Sequence, residues 1–368
     1  MIVILKPNVD ENSEAFQQTW DSLRKLPNIR LQRHSVLGQQ QHLTEIYLVG
    51  DTSKIHREEI ESLPAVERAI RISDEFRILG RHHDNHRITG FNYNGIHFDQ
   101  DSLHIFAGLC AVDNPKNVEI MMKALQERRL QCARMGAYKP RTNPYSFQGH
   151  GKACLPYVFE LAGKYDIKVI AMEVTHEDHV EEIRETLEKT GNPTGVMVQI
   201  GTRNTQNFEL LKAIGKQSDF PVLLKRGFGI TLREFLNAAE YLASEGNDNV
   251  IFCLRGMKTA FSDAHRNMVD FPYVPVVKRL TRMPAGVDPS HSVGSREASP
   301  DGILDIFHAT AQGVIAGANL ILVDFHPYPK DALVDGPQAL RLEEMDHFLE
   351  DIRIVRAAYE KRLELIKE

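Results

Sequence analysis

Arg134, Lys139 and Arg141 stand within eight residues of one another, in a stretch (134–149) that reads Arg-Met-Gly-Ala-Tyr-Lys-Pro-Arg-Thr-Asn-Pro-Tyr-Ser-Phe-Gln-Gly. Pro140 and Pro144 fix their own φ and restrict the residues before them, which holds the segment extended. A stiff loop carrying Arg and Lys suits a phosphate- or carboxylate-bearing ligand, because the guanidinium is a planar fork that matches such anions. Alone, the segment also reads as a solvated basic loop. Arg203, Lys225 and Arg255 each follow a short apolar run further along the chain. Cations directed into one mouth repel and are costly to desolvate unless an anion neutralises them. The five residues Arg134, Lys139, Arg203, Lys225 and Arg255 therefore imply a polyanionic substrate such as a phosphorylated carboxylate. Glu173 is the one acidic residue expected at a strand end that remains to serve an internal charge network.

Cys110, His291, Asp324 and Asp335 make a second set. A thiolate, an imidazole and two carboxylates suit a divalent first-row ion such as Mn²⁺, Fe²⁺, Co²⁺ or Zn²⁺. Singly, each has a plain explanation: a small core cysteine, a satisfied histidine, aspartates that cap helices. Their positions make convergence the stronger reading, provided the chain forms the elements that bring them together.

Those elements follow from the rhythm of apolar residues. From His104 onward, short apolar runs alternate with amphipathic helical patterns such as Leu232–Ser244 and Ile303–Ala316. The expected strands are His104–Cys110, Gln131–Ala137, Lys168–Val174, Gly195–Gly201, Pro221–Gly227, Asn249–Gly256, Ala285–His291 and Leu320–His326. Their near-continuous apolar character fits parallel strands buried on both faces. Eight such units predict a (β/α)₈ TIM barrel, whose chemistry collects at the C-terminal strand ends. A doubly wound open sheet is the weaker alternative, since no Gly-rich dinucleotide fingerprint follows the first strand. The strand ends read Cys110, Arg134 with Lys139, Glu173, Arg203, Lys225, Arg255, His291 and Asp324, with Asp335 in the last loop. Strands one and eight adjoin in a closed barrel, so the metal set can physically meet.

Residues 1–75 carry their own pattern: strand Ile2–Leu5, helix Ser13–Leu26, strands Ile29–Leu37 and His42–Val49, helix Ile55–Leu63 and strand Val66–Ile72. That βαββαβ order is ferredoxin-like. A polar connector, Arg77–Asn94, follows. Gly95–Asp99 is expected to be a short strand covering one end of the next domain. The expected division is 1–75, a connector and capping segment at 76–103, and an α/β barrel at 104–368.

With 44 basic and 50 acidic residues the formal charge is −6, so global electrostatics give no support to nucleic-acid or membrane binding. No apolar run approaches the ~20 residues of a membrane span. The start reaches Lys6 and Pro7 too early for a signal peptide, and the four cysteines show no pairable spacing. A reducing, cytoplasmic setting is expected.

These residues, in this order, resemble the type I 3-deoxy-D-arabino-heptulosonate 7-phosphate (DAHP) synthases, in the subgroup with an N-terminal ferredoxin-like domain that is related to 3-deoxy-D-manno-octulosonate 8-phosphate (KDO8P) synthase. The similarity spans essentially the whole chain. Its most specific pieces are Gly136-Ala-Tyr-Lys-Pro-Arg-Thr142 through Ser146-Phe-Gln-Gly149, Gln199-Ile-Gly-Thr-Arg-Asn204, Leu223-Leu-Lys-Arg-Gly227 and Asp288-Pro-Ser-His-Ser292. Lys139-Pro-Arg-Thr142 is the DAHP-type form of its loop. The resemblance implies condensation of phosphoenolpyruvate (PEP) with erythrose 4-phosphate, opening the shikimate route to aromatic amino acids. It implies Arg134 and Lys139 at the PEP carboxylate, and Arg203, Lys225 and Arg255 at its phosphate. Arg141 and Thr142 would serve the aldehyde substrate, and Glu173 water or proton transfer. Cys110, His291, Asp324 and Asp335 would hold the metal. A homotetramer and an aromatic amino acid effector at the first domain are implied in the same way.

Some positions depart from the family pattern. Gly108-Leu-Cys-Ala111 stands where Gly-Pro-Cys-Ser is usual, and Cys253-Leu-Arg-Gly256 where related sequences often have Cys-Glu-Arg-Gly. Asp324 replaces a glutamate, a loss of about 1.5 Å in reach. The PEP cations are complete, so the departures point to the acceptor half. Further readings are a PEP-condensing relative using another aldehyde in secondary metabolism, a catalytically silent regulatory protein, and a Schiff-base aldolase using Lys139 or Lys225.

Overall fold

The computed structural model describes residues 1–37, 42–52, 54–71, 76–81, 90–191, 194–261 and 264–367. They form two compact units, Met1–Ile78 and Leu79–Glu368.

In the first unit, β1 (Ile2–Leu5), β2 (Arg30–Leu37), β3 (His42–Val49) and β4 (Val66–Ile70) make an antiparallel sheet in the order β2-β3-β1-β4, with helices at Glu14–Arg24 and Arg57–Glu61. The first helix starts at Ser13, whose hydroxyl accepts the Phe16 N–H and satisfies one of the free donors of the first turn. Val3 and Leu5 of β1 pack with Phe16, Leu23, Ile46 and Leu48 in an apolar core. The helices are shorter at both ends than the periodicity predicts. The last strand stops at Ile70, and the expected end at Ile72 lies outside the described residues.

In the second unit, β5 (Gly90–Tyr93) and β6 (Ile96–Asp99) form a hairpin. Residues 82–89 of the expected polar connector lie outside the described residues, and Gly90–Tyr93, expected within the connector, is a strand instead. The hairpin seals the end of the barrel where the strands begin. The Val196 N–H donates to Tyr93 Oη (2.9 Å), Asn94 Nδ2 donates to the Lys168 carbonyl (2.7 Å), and the rings of Phe98 and Phe106 lie 6.2 Å apart.

Eight parallel strands follow: β7 (His104–Leu109), β8 (Cys132–Met135), β9 (Val169–Val174), β10 (Gly195–Ile200), β11 (Val222–Lys225), β12 (Val250–Leu254), β13 (Ala285–Val287) and β14 (Leu320–His326). Each pairs with the next, and β14 pairs with both β13 and β7, which closes the barrel. A short strand, β15 (Leu340–Arg341), pairs in parallel with the end of β14. The strands are buried on both faces, as their apolar runs require. The connecting helices start at sequence-encoded caps: Asn114 before Pro115–Glu127, Asn207 before Phe208–Gly215, and a Thr231–Glu234 capping box before Leu232–Glu245.

The seventh strand is a correction. It was expected to run to His291 but ends at Val287. Asp288 caps a five-residue helix, Pro289–Val293, by accepting the His291 N–H, and Pro289 has no N–H to continue a strand ladder. His291 therefore enters the site from a helix, and the residue at the strand end is Asp288.

Candidate active site

Strand register brings the first site residues together. Asp324 of β14 lies opposite Gly108 of β7, and Gly108 lies opposite Arg134 of β8. Glycine at 108, with φ of +149°, leaves no side chain between its neighbours, so the Asp324 carboxylate and the Arg134 guanidinium meet across it as a buried ion pair. The pair lies outside hydrogen-bond geometry, since neither Arg134 Nη1 nor Asp324 Oδ1 has a hydrogen-bond partner. Nearer the C-terminal strand ends stand Glu173 of β9, which lies opposite Gln199 of β10, and Lys225 at the end of β11.

Arg134, Glu173 and Lys225 border a cleft at the C-terminal end of the strands. Arg134, Lys139, Arg141, Arg203, Lys225, Arg255 and Arg266 contribute cations to it, and Glu173, His291 and Asp335 also line it. Lys139 Nζ is 3.4 Å from Glu173 Oε2 and from Cys110 Sγ. Lys225 is paired with Asp288, both buried. Arg266 Nη1 donates to Asp335 Oδ1 (3.0 Å) and Gln338 Oε1 (2.9 Å). Arg255 differs. It is 2 % exposed, only its Nη2 has a partner (the His291 carbonyl, 3.2 Å), and Nε and Nη1 have none. Burial lowers its pKa, an effect Asp288 opposes. An unneutralised guanidinium in this position is an anion acceptor by construction.

Arg134 and Lys139 keep their charge against burial. Burial works against the charge on Arg134, but Asp324, Cys110, Asp288 and Asp335 outweigh it and raise its pKa. Burial likewise opposes the Lys139 charge, which Cys110 and Glu173 restore and strengthen. Asp288 would be pushed up by burial, yet His291 and Lys225 hold it well below the usual carboxylate range.

Beside these cations, Cys110, His291 and Asp324 are buried, with donor atoms all within 4.8 Å of one another. Asp335 joins them: its Oδ2 is 3.1 Å from Cys110 Sγ and 3.6 Å from His291 Nε2. Asp288 Oδ1 lies 3.1 Å from His291 Nδ1, which leaves Nε2 to face the sulfur at 3.7 Å. Gln338 Nε2 donates to Asp324 Oδ2 at 2.5 Å. The residues fit a first-row divalent ion. They are a buried S/N/O donor set, and His291 carries an outer carboxylate on its second nitrogen.

The expected site residues thus meet in one place, though not all equally. Arg203 sits in the turn after β10 and is exposed; its Nη2 donates to Thr142 Oγ1 at 3.3 Å. Thr142 is exposed too, and Arg141 is half-buried on the cleft wall. Sequence reasoning held Glu173 to be the only strand-end acid left over for the cations. Asp288 is another, and it neutralises Lys225. Asp288 opens the quoted Asp-Pro-Ser-His motif, and Pro after an Asp was the available sign of a capped helix. Arg266 and Phe228 also line the cleft and were not singled out. Arg226 is buried facing away, paired with buried Asp270 at 2.9 Å. Adjacent positions of a strand point to opposite sides, so only one member of the Lys225-Arg226 pair could serve the mouth.

A closed (β/α)₈ barrel with seven cations around a Cys–His–Asp cluster at its catalytic end has the architecture of a barrel enzyme. Comparison with known proteins narrows the class. Residues 85–358 match the DAHP synthetase I family, and residues 1–74 match the DAHP synthase ferredoxin-like domain. A phospho-2-dehydro-3-deoxyheptonate aldolase of Thermotoga maritima is 34% identical over 359 residues, covering 96% of this chain and 97% of that protein. A 2-dehydro-3-deoxyphosphooctonate aldolase of Acidithiobacillus ferrooxidans is 26% identical over 265 residues, 68% of this chain and 88% of its own length. The crystal structure of the Thermotoga maritima DAHP synthase superposes with a TM-score of 0.69 at 32% identity, covering 97% of this chain and 96% of that one. The chain belongs to the DAHP synthetase I family. The family is metal-dependent and works on phosphorylated substrates. Among the described residues, no helix is long and apolar enough to cross a membrane.

Proposed function

We infer that the barrel mouth carries out the DAHP synthase reaction. C3 of PEP bonds to the aldehyde carbon of erythrose 4-phosphate, water adds at C2, and the C2–O bond breaks to release inorganic phosphate. The observation that carries this reading is an unneutralised buried arginine (Arg255) lining the cleft together with His291, a member of the Cys–His–Asp donor cluster. Arg255, Arg203 and Lys225 hold the PEP phosphate, and Arg134 and Lys139 its carboxylate. The bound charge is matched by fixed cations that need no reorganisation as phosphate departs. Glu173, 3.4 Å from Lys139 Nζ, orients the water or moves its proton. Arg141 and Thr142 meet the aldehyde's phosphate or hydroxyls. Cys110, His291, Asp324 and Asp335 hold a divalent ion (Mn²⁺, Fe²⁺, Co²⁺ or Zn²⁺), which supplies Lewis acidity toward the aldehyde carbonyl.

A second reading, in which the acceptor is a different aldehyde, is favoured by one observation. Ala111, Val334 and Phe147 pack with Cys110 as an apolar wall beside the donor cluster. Phosphate release from PEP with erythrose 4-phosphate and with a panel of other phosphorylated aldehydes separates the two. Turnover confined to another acceptor would rule out the first reading, and no release with any acceptor would rule out both. The ferredoxin-like unit is proposed to bind an aromatic amino acid effector, the assembly to be a homotetramer and the setting cytoplasmic. Support for these comes from the family resemblance, the matched regulatory-type domain and the four free cysteines.

A further inference from the structure

Carboxylates compensate most cations of the cleft. Arg134 faces Asp324, Lys139 faces Glu173, Lys225 faces Asp288 and Arg266 faces Asp335. Among the described residues, Arg255 and Arg203 form no ion pair with a carboxylate. What lies against both is an aromatic ring. The centroid of Phe228 is 5.0 Å from Arg255 Cζ and 5.8 Å from Arg203 Cζ, and Phe228 itself lines the cleft.

The loop that carries this ring is tied down from both ends. Arg226 Nη2 donates to the Ile230 carbonyl (3.0 Å), which closes the segment 226–230 on itself. Arg226 Nη1 donates to Asp270 Oδ2 (2.9 Å), and Asp270 Oδ1 accepts the N–H of Gly256, the residue after Arg255 (2.8 Å). Arg226 and Asp270 are 2 % and 1 % exposed, so this brace is fixed in the interior. Phe228, by contrast, is 37 % exposed, and burial does not account for an aromatic at the mouth.

We propose that Phe228 is a positioning residue of the phosphate subsite, its ring holding the Arg203 and Arg255 guanidiniums in the arrangement that receives the substrate's phosphate. This rests on the reading of those two arginines as phosphate-binding. The physical logic is that a cation with no carboxylate partner must be held in place before the anion arrives. A carboxylate would do so but would then compete with phosphate. The negative face of a π-system attracts both cations, yet it leaves their N–H edges unused. The unpartnered Nε and Nη1 of Arg255 fit that arrangement. Arg203 is exposed, and without the ring it would sample more rotamers, so each binding event would have to order it.

The test compares wild type with Phe228→Leu, which keeps apolar bulk but loses the π face, and Phe228→Tyr, which keeps the face. With the full-length, metal-loaded protein, Phe228→Leu is expected to raise the KM for PEP roughly tenfold. Its kcat and its KM for the aldehyde should stay near wild type, and Phe228→Tyr should restore the KM for PEP. Calorimetric titration with inorganic phosphate gives a readout without turnover, in which Phe228→Leu should weaken binding by a similar factor. Wild-type phosphate affinity in Phe228→Leu overturns the proposal, as does equal impairment of the Leu and Tyr variants. If wild type binds phosphate but does not turn over PEP, the assigned reaction fails, and weaker phosphate binding by Phe228→Leu still supports the ring's role. If wild type binds neither phosphate nor PEP, the phosphate-site reading and the proposal fall together.

Discussion

Asn in place of Asp288 removes one charge from a carboxylate that is 0 % exposed and faces two partners, the Lys225 ammonium and the His291 imidazole. The amide can still accept the His291 N–H, so the cap of the Pro289–Val293 helix survives. What disappears is the counter-charge. A buried ion left without its partner destabilises by about 3–5 kcal/mol. At roughly 2–4 °C per kcal/mol, the thermal midpoint of the metal-free protein should fall by about 6–20 °C. His291 also loses the carboxylate 3.1 Å from its Nδ1, which fixes the ring with Nε2 toward Cys110. Loss of such an outer partner lowers metal affinity about 10–100-fold. Scanning calorimetry of the metal-free proteins reads the first effect, and Co²⁺ titration against a competing chelator reads the second. An unchanged midpoint together with an unchanged affinity would refute the reasoning, because Asp288 would then be neither the counter-ion of Lys225 nor the anchor of His291.

Other expectations are simpler to read. Cys110→Ala should eliminate stoichiometric metal by elemental analysis and abolish metal-dependent turnover; full activity would remove the ligand assignment. In Gly201→Ala the added Cβ would overlap Glu173 Oε1, so the carboxylate must leave its present place beside Lys139. A kcat loss of about 10–100-fold with an unchanged circular dichroism spectrum is expected, and wild-type kcat would show that Glu173 needs no fixed position. Burial pushes the Lys278 ammonium down from the usual 10.5 to about 8. The folded state therefore resists the charged form, and the penalty is fully present below about pH 8 and fades as pH rises toward 10.5. It amounts to at most about 3 kcal/mol, less the screening that partial exposure allows. Lys278→Met should flatten the rise in denaturant stability between pH 8 and 10, and an identical slope in both proteins would disprove this. Deletion of residues 1–75 should abolish inhibition by tyrosine or phenylalanine, and inhibition that survives the deletion would move the effector site elsewhere.

Much of the architecture is written locally. The apolar runs of β9, β10, β12 and β14 are long enough to show strands buried on both faces, and Ser13 starts its helix in the structure as in the sequence. The cations and the Cys110, His291, Asp324 and Asp335 set were legible because rare polar residues at the ends of apolar runs stand out. Strand β13 was misread because its three residues run straight into Pro289-Ser-His, and apolar periodicity cannot find an end within so short an element. Phe228 was silent because one aromatic in a loop has no pattern around it.

The sequence alone determined which reactive groups the chain owns and that most of them follow an apolar strand, though His291 comes from a short helix. Tertiary structure alone decided their partners: Asp324 reaches Arg134 only because the closed barrel sets β14, β7 and β8 in register with a glycine between them. Charge compensation follows distance in space, and the strands that fix those distances lie far apart in the chain, so no local pattern records which carboxylate answers which cation.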